Sequence, residues 1–482
     1  MKKEAVLVSL IIFVGLLFRI YKIDTPLGDF HSFRQADTAS VARNFVEKGF
    51  DLTKPTYHDF SNVQSGKENP LGYRMVEFPI YNAMFAALYK FVPIGNIPIE
   101  VYGRSVSIFF SLITVGLVYF FLRREVDKTA AIWGSFILAV FPFSVFFSRT
   151  VLPETTALSF AFLSIFFLYI YNPALNSTFK RKLHFFLSVA CFAIALLIKP
   201  TLIFFALTLL YLFITKHKWN VLKKVSVYLF FVLAVAPVFL WRNYILQYPE
   251  GIPYSEWLYG MVNTSEGWQT VFLKPAFFRW IFFERINNII LGGYLTAFLV
   301  LGIFTKYKKY FLYSVLLSSL AYLLVFEGGN VQHEYYQILI LPALAMFVGS
   351  GISTILKQKK VFINSFASVL GVCAIVLFSF AMSYYRVKDY YNYSLDLLNT
   401  SKVIRDITQK DDKIVTDTLG DTTLLYLSDR KGSPHIYKTV DEFKNDNYKY
   451  LVTMDQKRIA ELKADKRRSV LFETAQFAIF KL

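Results

Sequence analysis

Residues 28–45 read GDFHSFRQADTASVARNF and residues 76–81 read VEFPIY. They lie at the two ends of the first long hydrophilic segment in an otherwise apolar chain, and that segment follows a single apolar stretch at residues 5–18. The segment carries Asp29, Asp37 and Glu77 among its charged residues. A connection between two helices is usually only a few residues long. We therefore interpret residues 28–80 as a catalytic loop.

The composition indicates a membrane protein. The 482 residues are 55% hydrophobic and 18% aromatic, with a mean hydropathy of +0.43. A soluble chain could not keep this much apolar surface away from water. The formal net charge is +18, but the Lys and Arg clusters lie between apolar stretches, where they orient helices, so nucleic-acid binding is not expected. Cys191 and Cys373 lie in apolar stretches and indicate neither disulfides nor a metal site.

The length of the apolar stretches predicts a polytopic α-helical fold, because a spanning helix needs about 20 apolar residues. No small-x-small cleavage site follows the first stretch, which favours a retained helix over a signal peptide. The stretch at residues 76–92 is short and interrupted by Pro79, so it predicts a helix lying in the membrane interface. About eleven spans are predicted, at residues 5–21, 100–122, 129–147, 154–171, 183–198, 200–215, 222–241, 286–304, 310–326, 336–356 and 362–383.

The distribution of basic residues predicts the orientation of these spans. If the N-terminus is inside, every cytoplasmic loop is basic, as the positive-inside rule requires. Those basic loops lie near residues 123–128, 180–182, 216–224, 306–309 and 357–360. A span at residues 76–92 would invert every later loop. We therefore expect a multi-pass protein of the cytoplasmic (plasma) membrane, with residues 28–80 and the C-terminal segment outside.

The C-terminal segment has the composition of a soluble domain from about residue 394. Residues 413–417 and 448–453 predict strands, residues 457–465 a charged helix and residues 471–480 a closing strand pair. We expect a transmembrane domain at 1–390, whose first outer loop covers 22–98, and a small extracytoplasmic α/β domain at 391–482. The latter has no glycine-rich phosphate loop and no nucleophile elbow. A cap or acceptor-binding module is therefore expected.

Four carboxylates are candidates for chemistry. Asp29 and Asp37 flank the start of a predicted amphipathic helix at residues 34–45; each could accept a proton from a hydroxyl nucleophile, or instead cap or salt-bridge the helix. Glu77 and Glu154 lie where the chain meets the membrane, which is costly for a carboxylate unless it is hydrated, paired or bound to a cation. Asp29, Glu77 and Glu154 are thus also candidate ligands of a divalent cation, although Glu154 could simply favour the start of its helix.

Several cations are candidates for phosphate binding. Lys199 precedes Pro200 in a tight turn on the predicted outer side, where a positive charge runs against the positive-inside rule. It could meet an anion, or extend to the outer lipid head groups. His333 follows two glycines and could contact a phosphate or simply form hydrogen bonds at the interface. Arg34 and Arg149 are further candidates. This set suits a substrate with a lipid tail, a phosphate and a polar head.

The run HSFRQADT at residues 31–38, followed by ARNF at 42–45 and EFPIY at 77–81, resembles the membrane glycosyltransferases of the GT-C superfamily. More narrowly, it resembles the bacterial relatives of protein O-mannosyltransferases and lipid A aminoarabinose transferases. The resemblance extends to the layout of the whole chain. It implies the GT-C fold and the inverting transfer of a sugar from a polyprenyl-phosphate donor to a lipid, glycan or protein acceptor at the outer membrane face.

The resemblance also implies roles for individual residues. The first-loop aspartate, a base or metal-positioning group, would be Asp29 or Asp37. The family's usual Asp-Glu pair is here Asp29-Phe30, so the base stays unassigned between the two aspartates. The other correspondences are Glu77 for the acidic residue before a proline, Glu154 for the acidic residue that opens the fourth span, Lys199 for the lysine that holds donor phosphate, and His333 for the basic residue of the last outer loop.

Other functions are compatible with the sequence. A transporter or flippase of lipid-linked sugars would place charged or broken helices near the middle of the membrane in both halves of the chain. Here the apolar stretches carry few charges, and the polar residues gather on one predicted face. An inactive scaffold would tolerate neutralisation of Asp29, Asp37 or Glu77. A polymerase or ligase of surface glycans stays open, as do the donor sugar, the acceptor and the need for a cation.

Overall fold

The computed structural model describes residues 2–172, 177–253, 275–357, 365–465 and 469–482. The chain divides into two compact units. The first comprises Met1–Ile23, Arg104–Arg242 and Glu256–Asp389, and the second comprises Asp24–Gly103, Asn243–Ser255 and Tyr390–Leu482. The first hydrophilic loop, which the sequence suggested as part of the transmembrane domain, therefore shares a unit with the C-terminal segment.

The secondary structure is mostly helical. The α-helices are α1 (Lys2–Arg19), α2 (Ser32–Lys48), α3 (Ile80–Phe91), α4 (Ile99–Glu125), α5 (Lys128–Val140), α6 (Pro142–Phe147), α7 (Glu154–Ile170), α8 (Thr178–Ile198), α9 (Ala206–His217), α10 (Val225–Ile245), α11 (Pro275–Phe278), α12 (Leu295–Phe304), α13 (Phe311–Val325), α14 (Glu327–Gln332), α15 (Leu341–Lys357), α16 (Ser365–Val387), α17 (Leu395–Ile407), α18 (Thr423–Ser428), α19 (Val440–Asn445) and α20 (Gln456–Ala464). A π-helix, Arg279–Ile290, continues α11, and 3-10 helices cover Pro200–Phe205, Lys218–Lys223, Pro249–Gly251, Glu334–Ile340 and Lys388–Tyr391. The strands are β1 (Lys413–Thr416), β2 (Lys431–Ser433), β3 (Tyr448–Thr453), β4 (Ser469–Glu473) and β5 (Ala478–Lys481).

The helices confirm a polytopic membrane fold. Six helices of the described residues are long and apolar enough to cross a membrane, and a seventh span results if one bent pair is counted. Helices α5, α7 and α13 are apolar but shorter. The count of eleven spans stays a prediction, because some predicted spans are divided. In the span at residues 129–147, for example, α5 ends before Phe141 and α6 begins at Pro142, whose ring cannot continue the preceding helix.

The predicted span at residues 286–304 is not one straight helix. The π-helix that continues α11 ends at Ile290, and α12 leaves it at an angle of 115°. Gly292 lies in the bend with φ of +59°, and a β-carbon there would lie 1.8 Å from the carbonyl oxygen of Ser379. Glycine tolerates both the positive φ and the close approach. The bend therefore depends on a residue that the hydropathy pattern does not register.

Close backbone contact holds part of the first unit together. Gly302 of α12 faces α15, and a β-carbon on it would lie 1.9 Å from the carbonyl oxygen of Phe347. Helices in membranes gain little from the hydrophobic effect between them, so small residues that allow tight packing stabilise their association. The approach of α12 to α15 therefore requires glycine at this position.

The second unit contains a five-stranded sheet with the order β2-β1-β3-β5-β4. Strand β1 is parallel to β2 and β3, whereas β5 is antiparallel to β3 and β4. The strands predicted at 413–417 and 448–453 and the helix at 457–465 are confirmed within one or two residues as β1, β3 and α20. Strand β2 was not predicted, since its three residues form too short a pattern to detect.

The first loop extends this sheet. Gly432 N in β2 donates to the carbonyl oxygen of His58 at 2.9 Å, and Phe60 N donates to the carbonyl oxygen of Gly432 at 2.6 Å. The bridge between Asp59 and Gly432 is parallel. Residues 58–60 thus cover the free edge of β2, which would otherwise expose unpaired backbone groups.

Both helices predicted in the first loop are present in the second unit. Helix α2 covers the predicted residues 34–45, but its polar residues are buried as well as its apolar ones, among them Arg34, Gln35 and Asp37. Helix α3 begins directly after Pro79. Its length of about 18 Å is too short to cross the hydrocarbon core. Its predicted place in the membrane interface stays a prediction.

Candidate functional site

Asp29 lies just before α2, with 3% of its surface exposed. The buried Gln35 donates from Nε2 to Asp29 Oδ1 at 2.7 Å and to the carbonyl oxygen of Phe30 at 3.1 Å. Phe30 also stacks on Tyr390, with ring centres 4.1 Å apart, and its N–H donates to the Tyr390 carbonyl oxygen. These contacts fix the backbone and the carboxylate together. Asp29 is therefore held in one orientation.

The chain turns sharply between Asp29 and α2. His31 has φ of +59° and ψ of +35°, the left-handed conformation that side chains other than glycine rarely adopt. Such strained residues occur frequently at functional sites, where the surrounding contacts maintain them. The turn lets Gln35, in the first turn of α2, reach back to Asp29.

Asp37 has both carboxylate oxygens engaged. Oδ2 lies 2.8 Å from the guanidinium of Arg74, and Oδ1 accepts a hydrogen bond of 2.7 Å from the hydroxyl of Thr422. Asp37 is 2% exposed. This geometry matches the structural alternative considered for Asp37, a salt bridge that anchors the helix. Asp37 thus joins α2 to two other segments of the second unit.

Arg34 and Glu77 pair with each other across the first loop. Arg34 donates from a guanidinium N–H to Glu77 Oε1 at 2.5 Å, and their side chains are only 10% and 15% exposed. A candidate phosphate ligand and a candidate metal ligand therefore neutralise one another. Within the described residues, no group of three His, Cys, Asp or Glu side chains is arranged to hold a metal ion. The predicted cation set of Asp29, Glu77 and Glu154 stays a prediction.

In the first unit, Glu154 and Lys199 form a buried ion pair. Glu154 is the first residue of α7 and has no exposed surface, and the Lys199 ammonium lies 2.7 Å from its Oε1. The ammonium also lies 5.0 Å from the centre of the Tyr336 ring. Lys199 is 6% exposed, so it does not extend to the surface as the head-group alternative requires. Glu154 and Lys199, which the sequence indicated separately as a candidate metal ligand and a candidate phosphate ligand, are therefore in contact.

The first two turns of α7 carry buried polar groups without hydrogen-bond partners among the described residues. The hydroxyls of Thr155, Thr156 and Ser159 are buried and make no hydrogen bond with any described residue, and Glu154 Oε2 makes none either. Buried polar groups in native proteins are almost always hydrogen-bonded, so such a group of exceptions requires an explanation. A hydroxyl-rich ligand would supply the missing partners.

Two more predicted phosphate ligands lie in the first unit. Arg149 is buried and donates to the carbonyl oxygen of Tyr21 at 3.1 Å. His333 directly follows α14, and its ring stacks on Tyr335 with centres 5.3 Å apart. Each side chain thus has a structural contact.

Arg285 is a buried cation that was not among the predicted site residues. It is 2% exposed, donates to the carbonyl oxygen of Val331 at 2.5 Å and lies 3.4 Å from Glu334. It therefore fixes the loop that carries His333. The feature of the sequence that could have indicated Arg285 is its place as a single arginine directly before an apolar stretch.

His58 and Asp59 are among the residues of the first loop whose pKa values are displaced. Burial raises the pKa of Asp59 to about 6, although Ser61 N donates to its Oδ1 at 2.7 Å. Burial, reinforced by the positive charge of Arg43, lowers the pKa of His58 well below its ordinary value. His58 is therefore neutral at physiological pH, and Asp59 titrates within the range of laboratory measurements.

Comparison with known proteins extends these observations. Residues 94–241 match the sequence model of the family described as dolichyl-phosphate-mannose-protein mannosyltransferase. No curated protein sequence matches the chain. Among solved structures, ArnT from Cupriavidus metallidurans bound to undecaprenyl phosphate aligns with a TM-score of 0.67 and 13% identity over 98% of this chain and 97% of that one.

Two archaeal structures align similarly. The Archaeoglobus fulgidus oligosaccharyltransferase in complex with Zn and sulfate gives a TM-score of 0.62 and 10% identity, over 93% of this chain and 67% of that one. AglB from the same organism, with an inhibitory peptide and dolichol-phosphate, gives 0.58 and 10% over 93% and 69%. At these identities the solved structures establish the fold. In fold, and over residues 94–241 in sequence, the chain is therefore similar to these transferases, which agrees with the resemblance to the GT-C superfamily noted in the sequence.

Proposed function

We propose that the chain transfers a sugar from a polyprenyl-phosphate donor to a hydroxyl group of a lipid, glycan or protein acceptor at the outer face of the cytoplasmic membrane. The observation that carries the proposal is the buried Asp29 carboxylate oriented by Gln35. The donor class is supported by the undecaprenyl phosphate of the ArnT structure and the dolichol-phosphate of the AglB structure.

In the proposed reaction, Asp29 is the general base. It accepts the proton of the acceptor hydroxyl while that oxygen forms a bond to the anomeric carbon of the donor sugar. The bond between the anomeric carbon and the phosphate oxygen breaks, and polyprenyl phosphate leaves. One displacement inverts the configuration at the anomeric carbon. Asp37 is a less suitable base, because Arg74 and Thr422 already occupy both of its oxygens.

Lys199 and Arg149 are proposed to stabilise the charge that builds on the departing phosphate. Positive groups placed in a buried site are effective at this task, because low dielectric strengthens their interaction with an anion. Glu154 Oε1 lies 2.7 Å from the Lys199 ammonium and holds it in place. The hydroxyls of Thr155, Thr156 and Ser159 are proposed to bind hydroxyl groups of the donor.

The test uses the full chain purified in detergent and a panel of radiolabelled polyprenyl-phosphate sugars. The expected result is release of polyprenyl phosphate with transfer of the label to an acceptor, measured with and without a chelator because the need for a cation stays open. A chain that turns over no donor, yet moves intact lipid-linked sugar between leaflets of vesicles, would be a flippase and would overturn the proposal.

A further inference from the structure

The second unit contains a cavity of about 660 Å³ that includes none of the residues assigned to the reaction. Ligand sites in proteins usually measure about 300–1,000 Å³, so the cavity is large enough for a lipid head group. It is formed by the segment after α1, the C-terminal half of α2, the start of α4, and helices α17 and α18.

Most carboxylates of this cavity are already neutralised within the unit. Glu100 lies 3.2 Å from the Arg43 guanidinium and also accepts from the hydroxyl of Tyr426. Asp429 lies 3.1 Å from Arg43, and Glu47 lies 2.8 Å from Lys410. The Arg43 guanidinium additionally stacks on the Tyr426 ring at 3.8 Å. These residues build a rigid wall with little remaining charge.

Helix α17 adds two positive charges that lack such partners. Leu398, Ser401, Lys402 and Arg405 line the cavity, and their spacing of three and four residues places them on one face of the helix. Lys402 and Arg405 make no ion pair or side-chain hydrogen bond with any part of the chain that the structure describes. Asp24, which also lines the cavity, is likewise unpaired among the described residues. The cavity thus offers two cations and one anion to a ligand.

The position of these residues in the chain indicates the source of the ligand. Asp24 follows shortly after the apolar helix α1, and Ile99 and Glu100 are the first residues of the long apolar helix α4. Residues this close to the end of a spanning helix lie near the level of the lipid head groups. Tyr89 and Tyr426 also line the cavity, and tyrosine is enriched at that level.

We propose that this cavity binds the head group of a phosphoethanolamine lipid, with the phosphate on Lys402 and Arg405 and the amine on Asp24. An ionised phosphate accepts charge-assisted hydrogen bonds from lysine and arginine, and an ammonium donates to a carboxylate. The site is separate from the residues of the proposed reaction, so it does not depend on the identity of the donor. It ties the first loop and the C-terminal segment to the membrane through a bound lipid.

The test measures lipid binding to the full chain in detergent by native mass spectrometry, with phosphatidylethanolamine, phosphatidylglycerol and soluble glycerophosphoethanolamine as probes. The wild type is expected to bind phosphatidylethanolamine at least threefold more tightly than phosphatidylglycerol, and the soluble head group much more weakly. The double variant Lys402→Ala/Arg405→Ala is expected to lose at least fivefold for both lipids. Asp24→Asn is expected to lose only the preference for ethanolamine.

The matched control is Lys444→Ala/Lys457→Ala, which removes two exposed lysines of the same unit outside the cavity. Thermal unfolding of each variant is measured in parallel, so that a loss of lipid binding counts only when the melting temperature is unchanged. An equal loss in the control would show a general charge effect and overturn the proposal. If glycerophosphoethanolamine bound as tightly as phosphatidylethanolamine, the proposal that the ligand is a membrane lipid would be overturned.

Discussion

The Glu154 carboxylate and the Lys199 ammonium lie 2.7 Å apart, and both side chains are buried in the first unit. Glu154 begins α7 and Lys199 follows the end of α8, so the pair closes the open end of a helical hairpin. A buried ion pair is costly to break on one side, since the remaining charge has no solvent to stabilise it. The pair therefore combines a structural contact with a cation suited to phosphate.

Variants of this pair separate the two roles. Lys199→Met leaves the Glu154 carboxylate buried without its partner, and we expect a loss of about 3–5 kcal/mol in unfolding free energy. The double variant Glu154→Gln/Lys199→Met removes both charges and should recover most of that stability. Donor turnover should stay about 100-fold below the wild type in the double variant, because the phosphate cation is still missing. Recovery of turnover together with stability would show that the pair is only structural.

Asp59 predicts a pH dependence of stability. In the folded protein the pKa of Asp59 is about 6, above the ordinary value of 3.8. Folding therefore favours the protonated carboxyl group. The stability that Asp59 contributes is fully present below pH 3.8 and is lost as the pH rises through 6. Asp59→Asn stays neutral and should be more stable than the wild type at pH 7.5. The difference should narrow by roughly 2 kcal/mol on lowering the pH to 4.5.

Thermal unfolding at pH 7.5, 6 and 4.5 measures this effect, with the exposed Asp411→Asn as the control from the same unit. The control should differ from the wild type by the same small amount at each pH. A constant difference between Asp59→Asn and the wild type across the three pH values would contradict the assignment.

The close approach of α12 to α15 at Gly302 leaves no room for a larger side chain at that position. A methyl group there would approach the Phe347 carbonyl oxygen to 1.9 Å, so Gly302→Ala must move α12 away from α15. We expect a loss of about 1–3 kcal/mol in unfolding free energy. Gly371→Ala in α16 is the matched control, because no atom lies within 4 Å of its β-carbon position. Equal melting temperatures of the two variants in detergent would show that the contact is not tight.

Local patterns allowed much of the fold to be predicted from the sequence. Strands β1 and β3 were found within one residue, because short runs of β-branched and aromatic residues such as KIVT and YKYLVT are visible over a few positions. Apolar length likewise indicated most of the helices. The bend at Gly292 was not predicted, since hydropathy averages over a window and does not register one glycine.

The site was predictable in its residues but not in its contacts. Asp29, Asp37, Glu77, Glu154 and Lys199 were all selected by charge and position, yet the sequence did not show which of them would pair. The contact between Asp37 and Thr422 joins residues 385 positions apart, and no local pattern reports such a contact. The burial of the charged residues of α2 has the same origin, because it depends on which other segments cover the helix.

The most direct test of the proposed mechanism compares Asp29→Asn with Asp37→Asn in a single-turnover assay of sugar transfer, with the thermal unfolding of both variants measured in parallel. We predict that Asp29→Asn keeps the melting temperature of the wild type and loses transfer by about 10²–10⁴-fold, the usual contribution of a general base. Asp37→Asn should mainly lower the melting temperature, because it weakens the contacts with Arg74 and Thr422. Full transfer activity in a folded Asp29→Asn variant would contradict the assignment of Asp29 as the base.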